Sequence, residues 1–65
     1  MTALEQKLLD MLKAAPGEPF TPDRLIIAVR RGPRHERDRA VRNALQRLTA
    51  RGDILRPARG VYQSK

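Results

Sequence analysis

Arg39, Arg42, Asn43, Gln46 and Arg47 recur among apolar residues, Val41, Ala44, Leu45 and Leu48, that keep a helical period. On one helix the two sets fall on opposite sides, so five polar side chains would project together from an aliphatic base. Their chemistry is complementary. A guanidinium forks onto phosphate or the guanine edge, and the carboxamides of Asn and Gln match the adenine edge. More arginines lie on either side. Arg30, Arg31, Arg34 and Arg37 precede this stretch, where phosphates often meet the first N–H groups of a helix. Arg56 precedes and Arg59 lies within a Pro57 to Gly60 turn, from whose tip Arg59 can reach a phosphate or a minor groove.

Other chemistries lack their residues. There is no glycine-rich phosphate loop, no nucleophile with a base and no carboxylate pair set to face one cleft, so no enzymatic activity is expected. With no cysteine and one histidine, His35, no metal site is expected, and a cap or phosphate contact is the expected role of that imidazole. No cofactor and no small-molecule ligand are expected from 65 residues, which hold one domain and one small core without a substrate cleft. That core must rest on aliphatic packing, since no disulfide can staple it.

The elements that would position the arginines are marked by local signals. Thr2-Ala3-Leu4-Glu5 has capping-box spacing and predicts a first helix. Leu4, Leu8, Met11, Leu12 and Ala15 form its apolar stripe, Glu5, Gln6, Asp10 and Lys13 lie mostly away from it, and Pro16-Gly17 ends it. Glu18 to Phe20 can form a brief strand that carries Phe20 into the core. Thr21-Pro22-Asp23 opens a second helix with a cap, a proline at its first position and an acid near the positive end of the dipole. Leu25, Ile26, Ile27 and Val29 give it a broad apolar surface, and it stops between Arg30 and Gly32. Gly32-Pro33 marks a turn. The third helix is predicted from Glu36 to Ala50, with Asp38 pairing Arg34 or Arg42 and Gly52 as its C-terminal cap. Ile54-Leu55 and Val61-Tyr62 then read as two strands of a hairpin, with Tyr62 in the core and Ser64 and Lys65 frayed.

Charge divides along this order. In residues 1–23, Lys7 and Lys13 face Glu5, Asp10, Glu18 and Asp23; from Arg24 onward, twelve basic residues face only Glu36, Asp38 and Asp53. A net charge of +7 predicts a polyanionic partner. No apolar run suits a membrane span or a signal peptide, so the expected location is the cytoplasm, on the nucleoid in a prokaryote, with no membrane partner.

The run from Ala40 to Arg56 resembles the third helix and first wing strand of winged helix-turn-helix regulators. The pattern is most similar to the GntR-type DNA-binding domain: Val41-Arg42, Ala44-Leu45, Leu48, Gly52 and Ile54 match it, as does a wing ending Arg59-Gly60-Val61-Tyr62. The similarity covers Ala40 to Tyr62, about a third of the chain. It implies an α+β fold of three helices and a hairpin wing that binds double-stranded DNA as a small regulator or DNA-associated factor. Arg42, Asn43 and Gln46 would approach bases or phosphates, and Arg59 would sit in the wing. Arg30 to Arg39 is longer and more charged than the tight turn of many members, and no sensing domain is recognisable after the wing, so ligand sensing is not carried over. The residues expected at the DNA are thus Arg34, Arg37, Arg39, Arg42, Asn43, Gln46, Arg47, Arg56 and Arg59. A homodimer on a palindromic site would extend the short contact of one copy. Two alternatives remain open here. One is a winged helix that docks on protein through an apolar patch from Leu9, Ile26 or Leu55; the other is a binder of structured RNA.

Overall fold

The computed structural model describes residues 1–31 and 36–65. Three helices, α1 (Ala3–Lys13), α2 (Pro22–Arg30) and α3 (Asp38–Ala50), lead into a hairpin of β1 (Ile54–Ala58) and β2 (Val61–Ser64). This is a small α+β domain. The Gly32-Pro33 turn, Arg34 and His35 lie outside the described residues. Among the described residues no helix is long and apolar enough to cross a membrane.

Local chemistry sets the helix starts. The Thr2 hydroxyl accepts the Glu5 N–H at 3.1 Å while the Thr2 N–H donates to Glu5 Oε1 at 3.4 Å, completing the capping box of α1. Thr21 caps α2 by accepting the Arg24 N–H at 3.3 Å, and Pro22 takes the first turn, where its missing donor costs nothing. α3 begins at Asp38 rather than Glu36, behind an extended Arg37 that offers no side-chain cap. The Asp38 carboxylate fixes this start. It sits at the positive end of the helix dipole and pairs at 2.6 Å with Arg30, at the end of α2; Arg42, one of its two expected partners, turns to Asp23 instead, and the other, Arg34, lies outside the described residues.

α3 ends in a Schellman motif. The Gly52 N–H returns to the Thr49 carbonyl at 3.0 Å and the Asp53 N–H to the Leu48 carbonyl at 2.9 Å, with Gly52 at φ +80°. β1 therefore starts almost where α3 stops. Ile54 pairs with Ser64, Leu55 with Gln63 and Ala58 with Val61, so Arg56 and Pro57 together oppose Tyr62 in a bulge. Pro57 has no N–H to give a regular ladder, which accounts for the break. β1 consequently runs on to Ala58, and the turn shrinks to Arg59-Gly60 with Gly60 at φ +73°.

The core joins all five elements. Leu8, Leu9 and Leu12 of α1, Leu25, Ile26 and Val29 of α2, and Val41, Ala44, Leu45 and Leu48 of α3 pack with Ile54 and Tyr62; Leu4, Met11 and Phe20 are partly buried against them. The expected strand at Glu18 to Phe20 is a single antiparallel bridge, Phe20 to Tyr62, with both backbone bonds at 2.8 Å. Ser64 is buried, not frayed, because its hydroxyl accepts the Gly17 N–H at 3.3 Å and so ties β2 to the link after α1.

Ile27 departs from the expected apolar surface of α2. Leu25, Ile26 and Val29 take the inward face, which leaves Ile27 on the opposite side and 53% exposed. Leu45 and Gly52 separate the two kinds of constraint acting on α3. Leu45→Ala removes buried packing and should cost about 2–5 kcal/mol. Gly52→Ala meets no crowding, only a Lys65 ammonium at 3.7 Å, and should cost about 1–3 kcal/mol from left-handed backbone strain. Urea midpoints for the two variants, with unchanged m-values, check both figures.

Candidate functional site

At about 100° per residue, the face of α3 opposite Val41, Ala44, Leu45 and Leu48 carries Arg39, Asn43, Gln46 and Ala50. All four are exposed. No carboxylate shares this outer strip, and neither Arg39, Asn43 nor Gln46 spends its side chain on a hydrogen bond with another described residue. Arg39 and Asn43 also line an open hollow with Glu36, Arg37 and Ala40 at the start of the helix. Long donors and carboxamides stand there free to meet a planar or anionic surface.

Arg42 and Arg47 occupy the two edges of the strip, and each is drawn toward a neighbouring helix. Arg42 Nη2 lies 3.3 Å from Oδ1 of Asp23 in α2's first turn. Arg47 Nε lies 3.5 Å from Oε1 of Glu5 in α1. Both guanidinium side chains stay about half exposed, 52% in each case, so an anion arriving from solvent can compete for them.

Glu5 is the unexpected member. Its side chain is only 3% exposed, although the helical period places it mostly away from the centre of the apolar stripe. Two guanidiniums, one from α3 and one from the residue that follows it, cover the carboxylate. Besides Arg47, Arg51 Nη2 sits 2.6 Å from Glu5 Oε2, and Arg51 Nε reaches Asp53 Oδ2 at 3.1 Å. Although no donor is well aligned with Oε2, the 2.6 Å approach of Arg51 stabilises its charge. Burial pushes the Glu5 carboxyl up, but the Thr2 hydroxyl and backbone N–H, with Arg51, outweigh it and hold the group below its ordinary 4.5. Arg51 answers in the opposite sense: burial works against its charge, while Asp53 and Glu5 raise its pKa.

The hairpin presents its cations differently. Arg59 is exposed at the two-residue turn. Arg56 lies over the Tyr62 ring, 5.9 Å from its centroid, held against the buried phenol yet exposed on its outer side. Arg37 is exposed beside the start of α3. Arg34 lies outside the described residues. Thus Arg39, Asn43 and Gln46 share one face, Arg42 and Arg47 border it under carboxylate restraint, and Arg56 and Arg59 belong to the hairpin. Among the described residues no group of three or more His, Cys, Asp or Glu could hold a metal ion.

The residues not anticipated are the restraining ones: Glu5, Asp23 and Arg51. Glu5 and Asp23 carried sequence signals only as acids at helix starts, and Arg51 carried none. The expected apolar patch also changes, because Leu9 and Ile26 are buried, leaving Leu55 at 43% exposure and adding Ile27. Searches of protein-family models, curated proteins and solved structures find no match to this chain.

The lowered Glu5 carboxyl links the site to pH. A carboxyl whose folded value lies below its unfolded value contributes stability above about pH 4.5, and that contribution disappears as pH falls through the folded value. Urea midpoints measured from pH 7 to pH 2 should therefore fall less steeply below pH 4.5 for Glu5→Gln than for the parent chain. Equal acid slopes would remove Glu5 as a source of that loss.

Proposed function

We propose that this chain is a winged helix-turn-helix domain that binds double-stranded DNA, with α3 in the major groove and the β1–β2 hairpin as a wing on the backbone or in the minor groove. The order of three helices and a hairpin supports the layout. The acid-free strip of Arg39, Asn43 and Gln46 carries the functional part. A helix of this width enters the B-form major groove, and these side chains can both neutralise phosphate and read guanine or adenine edges.

Arg42 and Arg47 flank this strip, where a groove places its phosphate walls, and Arg37 adds charge near the helix start. The resemblance to GntR-type domains favours the same assignment for Arg42, Asn43, Gln46 and Arg59, and a role as a small transcriptional regulator or DNA-associated factor. Duplex RNA is a poorer fit, because its major groove is too narrow for α3. Two copies on a palindrome would enlarge the short site of one.

Titration of duplex DNA at several salt concentrations tests the proposal. Affinity should fall steeply with salt, and Arg39→Ala and Arg59→Ala should each lower the log–log slope by about 1 if each side chain holds a phosphate. Asn43→Ala should cost about 1–3 kcal/mol on a selected site and little on unselected DNA. No binding at low salt, or indifference to all three changes, would overturn it.

Asp23 gives a test of opposite sign. It engages Arg42 through an exposed pair of the kind worth about 0–1 kcal/mol, so Asp23→Asn should release Arg42 and tighten DNA binding a few-fold. Arg42→Ala should erase that gain, measured as a double-mutant cycle.

A further inference from the structure

On the outer side of α2, Arg24, Ile27, Ala28 and Arg31 stand at positions i, i+3, i+4 and i+7 and form one stripe away from the core. Together with Met11 and Phe20 they line an open hollow between α1, the Phe20 bridge and α2. Ile27 is 53% exposed, Met11 and Phe20 are only partly buried, and Ala28 leaves room beside them.

The charges around this hollow all have one sign. Among the described residues Arg24 and Arg31 are its only charged lining residues, and neither makes an ion pair with another of them. Arg24 is held in place by the Phe20 ring, 5.2 Å from its centroid, which keeps the guanidinium over the apolar floor. Arg31 caps the far end of the helix, seven residues on, about 10 Å along the axis.

We infer that this hollow docks an acidic segment of another protein, one apolar side chain entering beside Ile27 with carboxylates on either side reaching Arg24 and Arg31. Charge complementarity selects that occupant. A DNA backbone would satisfy the arginines but gain nothing from an exposed isoleucine between them. A second copy of a +7 chain would meet this cationic stripe with net repulsion. The inference is independent of DNA binding by α3, whose outer strip it does not use.

Selection of displayed random linear peptides on the immobilised full chain, followed by titration of the enriched sequences as free peptides, tests this without DNA. Enriched peptides should share an apolar anchor bracketed by Asp or Glu. Ile27→Asp should weaken them at least tenfold with the circular dichroism spectrum and urea midpoint unchanged. Arg24→Glu and Arg31→Glu should also weaken them, and peptides with Lys in place of the bracketing acids should recover affinity for these two variants. Three outcomes would overturn the assignment. One is enrichment of no acidic-apolar motif, or of peptides indifferent to Ile27→Asp. Another is a concentration-dependent doubling of mass that Ile27→Asp abolishes, which gives the hollow to a second copy. The last is no peptide enrichment together with a tenfold loss of DNA affinity in Arg24→Glu, which gives the stripe to phosphate.

Discussion

With 65 residues and no cysteine, every element of this chain must draw its stability from one shared patch of aliphatic packing, and the buried side of α3 is that patch. Val41, Ala44, Leu45 and Leu48 are fully covered. α3 packs against α1, α2 and β1, and β2 joins them through α1 and β1. This has a direct effect on the outer side. Because the inner face admits no rotation, Arg39, Asn43 and Gln46 are held at fixed angular positions by residues that touch none of them. Rigidity in the display comes from packing on the reverse.

Charge refines what packing positions. Asp23 and Glu5 come from different helices and take opposite edges of the α3 strip, restraining Arg42 and Arg47 respectively. The two restraints are unequal. Asp23 is 83% exposed and competes weakly with water and salt, whereas Glu5 is covered and shared with Arg51. A carboxylate so enclosed is costly without a partner, and Arg51 at 2.6 Å, with Arg47 farther off at 3.5 Å, supplies it. Arg42 can be surrendered to an anion at small cost, and Arg47, equally exposed at 3.5 Å from Glu5, leaves Arg51 behind to hold that carboxylate.

What could be read in the sequence was local or periodic. Thr2 with Glu5, Thr21 with Pro22, and Gly52 act over a few residues, so their motifs announced the helix ends before any tertiary contact was known. The stripe of α3 was equally legible. What was hidden depended on pairing across long separations: Glu5 is buried because Arg51 lies near it, and Asp38 chooses Arg30 because α2 ends beside α3. The start of α3 was misplaced for the second reason, since the highly charged stretch around Glu36 has no cap residue to mark a boundary. Ile27 was a different failure. Four apolar residues in one short helix cannot all face inward, and its opposition to Leu25, Ile26 and Val29 was already contained in the helical period.

The bulge at Arg56 and Pro57 bears on how copies behave when crowded. A two-stranded sheet leaves one side of β1 without a neighbour, and with Leu55 exposed there, that margin would ordinarily invite another chain to zip on. The extra residue at Arg56-Pro57 kinks and twists the strand out of register with any straight partner. Cations at Arg56 and Arg59 add repulsion between like margins. Many copies gathered at high local density would therefore remain separate particles, free to exchange, rather than fuse strand to strand.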